Sequence, residues 1–204
     1  IQEIIIRKMP TFPYDFFWSK LGKENAEQLV FSYCHAPFVD TSATIVAKRV
    51  QQFGLLSDVV ANDMSNHRDI DASLLQINKH YLKDTYFATT TTSFGGWNAI
   101  KAYAEAANEL VKDKDYQQLY SRVLWPASHF AAALYKLQHP NVKWVAEFSD
   151  PVVLDIEGND RYSALEDGEF VKQILSRQKS EYQYLSAEKN LYVWCELLAY
   201  LLAD

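Results

Sequence analysis

The chain has 204 residues, 49% hydrophobic and 23% charged, enough to bury the core of one domain of ordinary size. A formal net charge of -6 and a pI near 5.4, with no long basic run, exclude general nucleic-acid binding, which needs clustered Lys and Arg to neutralise phosphates. No segment approaches the roughly 20 apolar residues that span a bilayer, and Arg7-Lys8 interrupt the opening apolar run too early for a secretory signal. These features point to a cytoplasmic protein, with peripheral association at the inner face of a membrane left open. Cys34 and Cys195 lie far apart without metal-ligand spacing and read as buried free thiols of a reducing compartment.

In chain order, apolar runs of strand length alternate with segments of helical period, the pattern of an α/β sheet with helices on both faces. A first strand is expected over 29–34. After the His35-Ala36-Pro37 turn, Asp40 or Thr41 caps a helix whose Val46, Val50 and Phe53 share a face. A second strand near 58–61 ends at Asn62-Asp63, and polar residues 64–71 lead into a short helix near 72–82. A third strand over 85–90 runs into Thr91-Thr92-Ser93-Phe94-Gly95-Gly96, and the following helix aligns Ile100, Tyr103, Ala107 and Leu110. A fourth strand near 121–125, a helix carrying Phe130, Leu134 and Leu137, and a fifth strand over 143–148 form one βαβ unit from Val123 to Pro151. Residues 155–168 are polar and acidic. Two helical segments finish the chain, the last with an apolar stripe of Leu191, Trp194, Leu198 and Leu201. The final Leu202-Ala203-Asp204 has neither a Gly cap nor a polar tail, which suggests a domain cut from a longer protein.

The expected fold is therefore a single Rossmann-like domain with an open parallel sheet, and in such sheets ligands bind at the carboxyl ends of the strands. Polar residues gather there: His35 with Asp40, Thr41 and Ser42; Asn62-Asp63; Thr92 to Gly96; Ser128-His129; and Ser149-Asp150. Thr41-Ser42 and Ser128-His129 stand at helix starts, where backbone N–H groups and the helix dipole favour anions; the competing reading is simple capping. A neutral His129 at a helix start suits proton exchange or donation to a ligand oxygen, or else packs beside Trp125. Asp150, ahead of Pro151, caps a turn or accepts from ligand hydroxyls. Glu147, inside an apolar strand, needs an exposed face or a partner such as Arg122.

Gly95-Gly96 does not match G-x-G-x-x-G, and the chain has no G-x-x-x-x-G-K-[ST] loop and no G-x-S-x-G elbow. Rossmann dehydrogenases, P-loop enzymes and serine hydrolases are thereby disfavoured. Cys34-His35 stands where a phospho-acceptor domain would carry an acidic pair.

Three stretches resemble the N-terminal half of family 4 glycosyltransferases: Asp40-Thr41-Ser42 leading into Val46-Ala47-Lys48-Arg49, then Trp125-Pro126-Ala127-Ser128-His129, then Trp144 to Pro151 with its Glu147-Phe148-Ser149-Asp150 strand end. The resemblance runs from Leu29 to the end. It implies GT-B architecture, in which two Rossmann-like domains face each other across a cleft, and retaining transfer of a sugar from a nucleotide-sugar to an acceptor hydroxyl. On that resemblance His129 and Asp150 are catalytic-site residues, while His35, Asp40, Thr41, Ser42, Ser128 and Ser149 form the acceptor side. It implies no cofactor and no bound metal, a glycan or lipid-linked acceptor, and a C-terminal nucleotide-sugar domain absent from residues 1–204. The chain departs from the family where many members carry Gly-Gly after the first strand: its loop is Phe38-Val39-Asp40-Thr41-Ser42. The rival reading is a non-catalytic α/β ligand-binding or interaction module.

Overall fold

A computed structural model describes residues 25–204. The strands are β1 (Gln28–Phe31), β2 (Ser57–Asn62), β3 (Leu82–Ala88), β4 (Gln118–Val123) and β5 (Lys143–Phe148). The helices are α1 (Thr41–Phe53), α2 (Trp97–Glu109), α3 (Ala127–Gln138), α4 (Gly168–Leu175) and α5 (Leu191–Leu202), with 3₁₀ turns at Ala72–Gln76 and Ser180–Ala187. All strands pair in parallel, in the order β3-β2-β1-β4-β5.

Crossover handedness explains which helix covers which face. The chain steps from β1 to β2 in one direction and from β3 through α2 to β4, then through α3 to β5, in the other. Right-handed connections therefore put α1 on one face and α2 with α3 on the opposite one. The side chains agree. Leu29, Phe31, Val60 and Leu119 turn towards the α2–α3 core, whereas Val30, Val59 and Tyr120 pack with Val46 and Val50 of α1. With residues alternating between two covered faces, β1 is apolar after its first residue, Gln28, as the near-continuous apolar run of a strand covered on both sides should be. Each fully buried Val on the α1 face contributes about 1.5–3 kcal/mol.

Local chemistry sets the element ends. The Asp40 carboxylate accepts from Ser42 N at 2.8 Å and Ala43 N at 3.2 Å, which starts α1; Gly54, at φ 69°, ends it in a conformation that side chains disfavour. β1 stops three residues before the expected Cys34, because Tyr33 N turns to the Ser128 hydroxyl at 3.0 Å instead of continuing the ladder. β4 likewise ends at Val123, two residues short of Trp125. The helix expected over 72–82 is only a 3₁₀ turn: Tyr81 N bonds to Asn78 O at 2.8 Å, and the chain from Leu82 onward enters β3. In α5, Leu191, Trp194 and Leu198 are fully buried, and Leu201 packs at the core's edge. Asp204 closes that helix against β5, its backbone N–H donating to Trp144 O at 3.0 Å and its carboxylate accepting from Trp144 N at 2.8 Å.

Among the described residues no helix is long and apolar enough to cross a membrane. Cys34 and Cys195 are both buried free thiols, and burial pushes the Cys34 thiol up to about 12.

Candidate functional site

The sheet reverses its winding between β1 and β4, and the crevice at such a switch point is where open α/β sheets usually take ligands. Here the crevice is occupied by the protein's own side chains. The Tyr33 ring stacks on Trp125 at 5.3 Å, and the Ser128 hydroxyl is committed to Tyr33 N. Phe94, from the loop after β3, meets Trp125 edge-on at 5.6 Å. Two arginines lie over this aromatic row: the Arg68 guanidinium is 5.5 Å from the ring of Trp125, its middle member, and that of Arg161 is 5.3 Å from Phe94 at one end.

The open space lies one strand further along. A cleft of about 520 Å³ sits beyond the carboxyl ends of β4 and β5, with Leu124, Phe94 and Val152 as apolar walls and Ser149, Asp150 and Arg161 as polar ones. Its volume is that of a small-ligand site. The far wall is a tight turn. The Asp155 carboxylate accepts from Glu157 N at 2.9 Å and Asn159 N at 2.8 Å, and hydrogen bonds from Asn159, above all its backbone N–H, hold that carboxyl below its ordinary value. The turn presents Ile156 almost wholly to solvent, at 98% exposure.

Of the residues singled out in the sequence, Ser149 and Asp150 come together in this cleft. The Ser149 hydroxyl donates to Val123 O at 2.7 Å, tying the end of β5 to β4, while Asp150 is exposed. The others lie elsewhere. Thr41 is exposed at the start of α1. Asp40 is the cap of α1, and its second oxygen meets Arg68 Nε at 3.4 Å. The buried Ser42 hydroxyl accepts from Arg122 Nη1 at 2.9 Å, and Ser128 is bonded as described.

Both histidines lie beneath the surface. His35 is fully buried with no hydrogen-bond partner on either ring nitrogen, and burial lowers its imidazole to about 4. His129, expected at the cleft, is fully buried below it. Its Nδ1 shares a 2.9 Å hydrogen bond with the Ser121 hydroxyl, which also accepts from Trp144 Nε1 at 2.9 Å. The His129 ring stands edge-on to Phe148 at 4.9 Å and to Trp144 at 5.8 Å, in place of the expected Trp125, and burial pushes it down to about 3. It is a neutral imidazole, set under the residue that precedes Ser149.

Glu147 has the partner that the sequence suggested. Arg122 lies opposite it in register and donates to it from Nε at 3.1 Å; Arg49 Nε at 2.9 Å and the Tyr120 hydroxyl at 2.8 Å also converge on it. Desolvation alone would raise this carboxyl, but these hydrogen bonds outweigh it and hold it below its ordinary value.

Phe94 lies within the Thr92–Gly96 stretch expected on the rim and serves there as an apolar wall, whereas Arg68 and Arg161 carry no signal in the sequence. Both arginines sit singly in polar loops, and only the fold brings them over aromatic rings. Among the described residues no three His, Cys, Asp or Glu gather as a metal site would require. Compared with known protein families and with curated proteins, the chain matches none.

Proposed function

We propose that this chain is the acceptor-side domain of a GT-B glycosyltransferase, working with a second domain that binds the nucleotide-sugar. The observation that carries the reading is the cleft at the carboxyl ends of β4 and β5, where the exposed Asp150 and Ser149 meet the aromatic wall of Phe94. A carboxylate beside an aromatic face suits a sugar: the oxygens accept from its hydroxyls and the ring covers its apolar face. The all-parallel sheet and the strand-end position agree with the expectation drawn from the sequence.

In the reaction the bond between the anomeric carbon and the diphosphate breaks, a bond to the acceptor oxygen forms on the same face, and the proton of the acceptor hydroxyl passes to the departing diphosphate. Such a step depends on orientation and on stabilising the leaving diphosphate more than on a strong base. Asp150 would hold the acceptor hydroxyl. His129, enclosed and neutral, would act through Phe148 by fixing the end of β5. The test is sugar transfer by the full-length protein, followed as release of the nucleoside diphosphate. Asp150→Ala should lower the rate about 100-fold with the fold intact, and turnover near the unsubstituted rate would reject the assignment.

One observation favours the non-catalytic alternative. The two histidines of the expected rim, His35 and His129, are sealed from solvent. A binding module would saturate with its sugar ligand while the full-length protein released no nucleoside diphosphate.

A further inference from the structure

A second cavity lies on the helical face of the domain, lined by α2, α3, and α4 with the cap that precedes it. It measures about 390 Å³, in the range of small-ligand pockets. Its floor is aromatic. Trp97 packs on Phe130 and on Phe170 with ring centroids 5.4 Å apart in both pairs, and Phe130 meets Phe170 at 5.8 Å. Trp97 and Phe130 are almost fully covered at 8% and 1% exposure, so the cavity opens above a fixed platform.

The rim is unbalanced in charge. Lys101 is the cation among the lining residues, and its ammonium is committed to Asp167, the cap of α4, at 2.6 Å. That pair is neutral as a unit and bridges α2 to the start of α4. Two further carboxylates remain on the rim, Glu105 and Glu169, with side chains 60% and 87% exposed. Each forms a long, solvent-exposed ion pair, Glu105 with Lys101 at 4.0 Å and Glu169 with Lys172 at 3.7 Å, beyond close hydrogen-bond distance and weak in water. An aromatic floor gives apolar area to the ring or alkyl body of a ligand, and the surplus of carboxylates on the rim attracts its positive charge.

We propose that this groove binds a small organic cation with an aromatic or alkyl body, the body lying on Trp97 and Phe170 and the ammonium facing Glu105 and Glu169. The site is separate from the strand-end cleft and does not depend on the transferase reading.

The test is a titration of the ¹⁵N-labelled chain, following the indole N–H resonance of Trp97 assigned through Trp97→Phe. Three probes share one body and differ in charge: 2-phenylethylammonium, 2-phenylethanol and 3-phenylpropionate. The ammonium should shift Trp97 with a Kd about tenfold below that of the alcohol, and the carboxylate should leave it unmoved. The double variant Glu105→Gln/Glu169→Gln, made at exposed positions that leave the fold intact, should bring the ammonium's Kd to that of the alcohol. Equal binding of ammonium and alcohol by the unsubstituted chain, a silent Trp97, or a preference that survives the double variant would overturn the proposal.

Discussion

The strand-end rim is built from similar residues at the central strand β1 and at the edge strand β5, and puts them to different use. At the β1 end, Asp40, Ser42 and Ser128 all hold hydrogen bonds that start helices, pair with arginines or tie one strand end to a neighbouring helix, and His35 is sealed in the core. At the β5 end, Ser149 ties β5 to β4, but the next residue, Asp150, reaches an open cleft. A polar side chain that completes a cap or an ion pair has its acceptors filled, so only the β5 end keeps a carboxylate available to a ligand.

The largest effect that tests this contrast is acid sensitivity. His35 and His129 bind a proton below about 6.5 when unfolded, but in the folded chain only near about 4 and about 3. The unfolded state therefore holds more protons as pH falls from 6.5, and stability declines through that window by about 1.4 kcal/mol per pH unit for each histidine. Urea unfolding from about pH 7 down to about pH 5 should show this decline, and His129→Gln should halve its slope. A stability that is flat across the window would mean that the histidines are open to water.

Next in size is Glu147→Ala. It leaves Arg122, 8% exposed, without its carboxylate, and should cost about 2–3 kcal/mol in urea unfolding, less than the loss of a fully buried pair. The unsubstituted chain should also lose this contribution below about pH 4.5, because Glu147 titrates below its ordinary value when folded and stability goes as the acid is protonated. Asp40→Ala removes a cap and the partner of Arg68, for about 1–2 kcal/mol. Ser149→Ala removes one hydrogen bond across the top of the sheet, for about 1 kcal/mol.

The fold was legible because each strand and helix carries its own period. Val46 and Val50 mark the buried side of α1, and the alternation along β1 follows directly from two covered faces. The Arg122–Glu147 pair was legible too, since neighbouring parallel strands bring those positions into register. The expected strand 29–34 overruns because Ser32, Tyr33 and Cys34 are as buried as strand residues and Tyr33 and Cys34 continue the apolar run; the Ser128 hydroxyl, 95 positions away, draws Tyr33 out of the ladder. The depth of His129 was hidden for a similar reason. A histidine at a helix start reads as a surface group until Trp144 and Phe148 are known to close over it.

The account rests on Asp150 working and Asp40 holding the fold, and one paired measurement separates them: sugar transfer by the full-length protein carrying Asp150→Ala or Asp40→Ala, with the melting temperature of each. We expect Asp150→Ala to lose about 100-fold in rate and keep its melting temperature, because the residue is exposed. Asp40→Ala should melt several degrees lower, by about 2–4 °C per kcal/mol, and keep most of its rate below that transition. Full activity in Asp150→Ala together with complete loss in a well-folded Asp40→Ala would contradict the account.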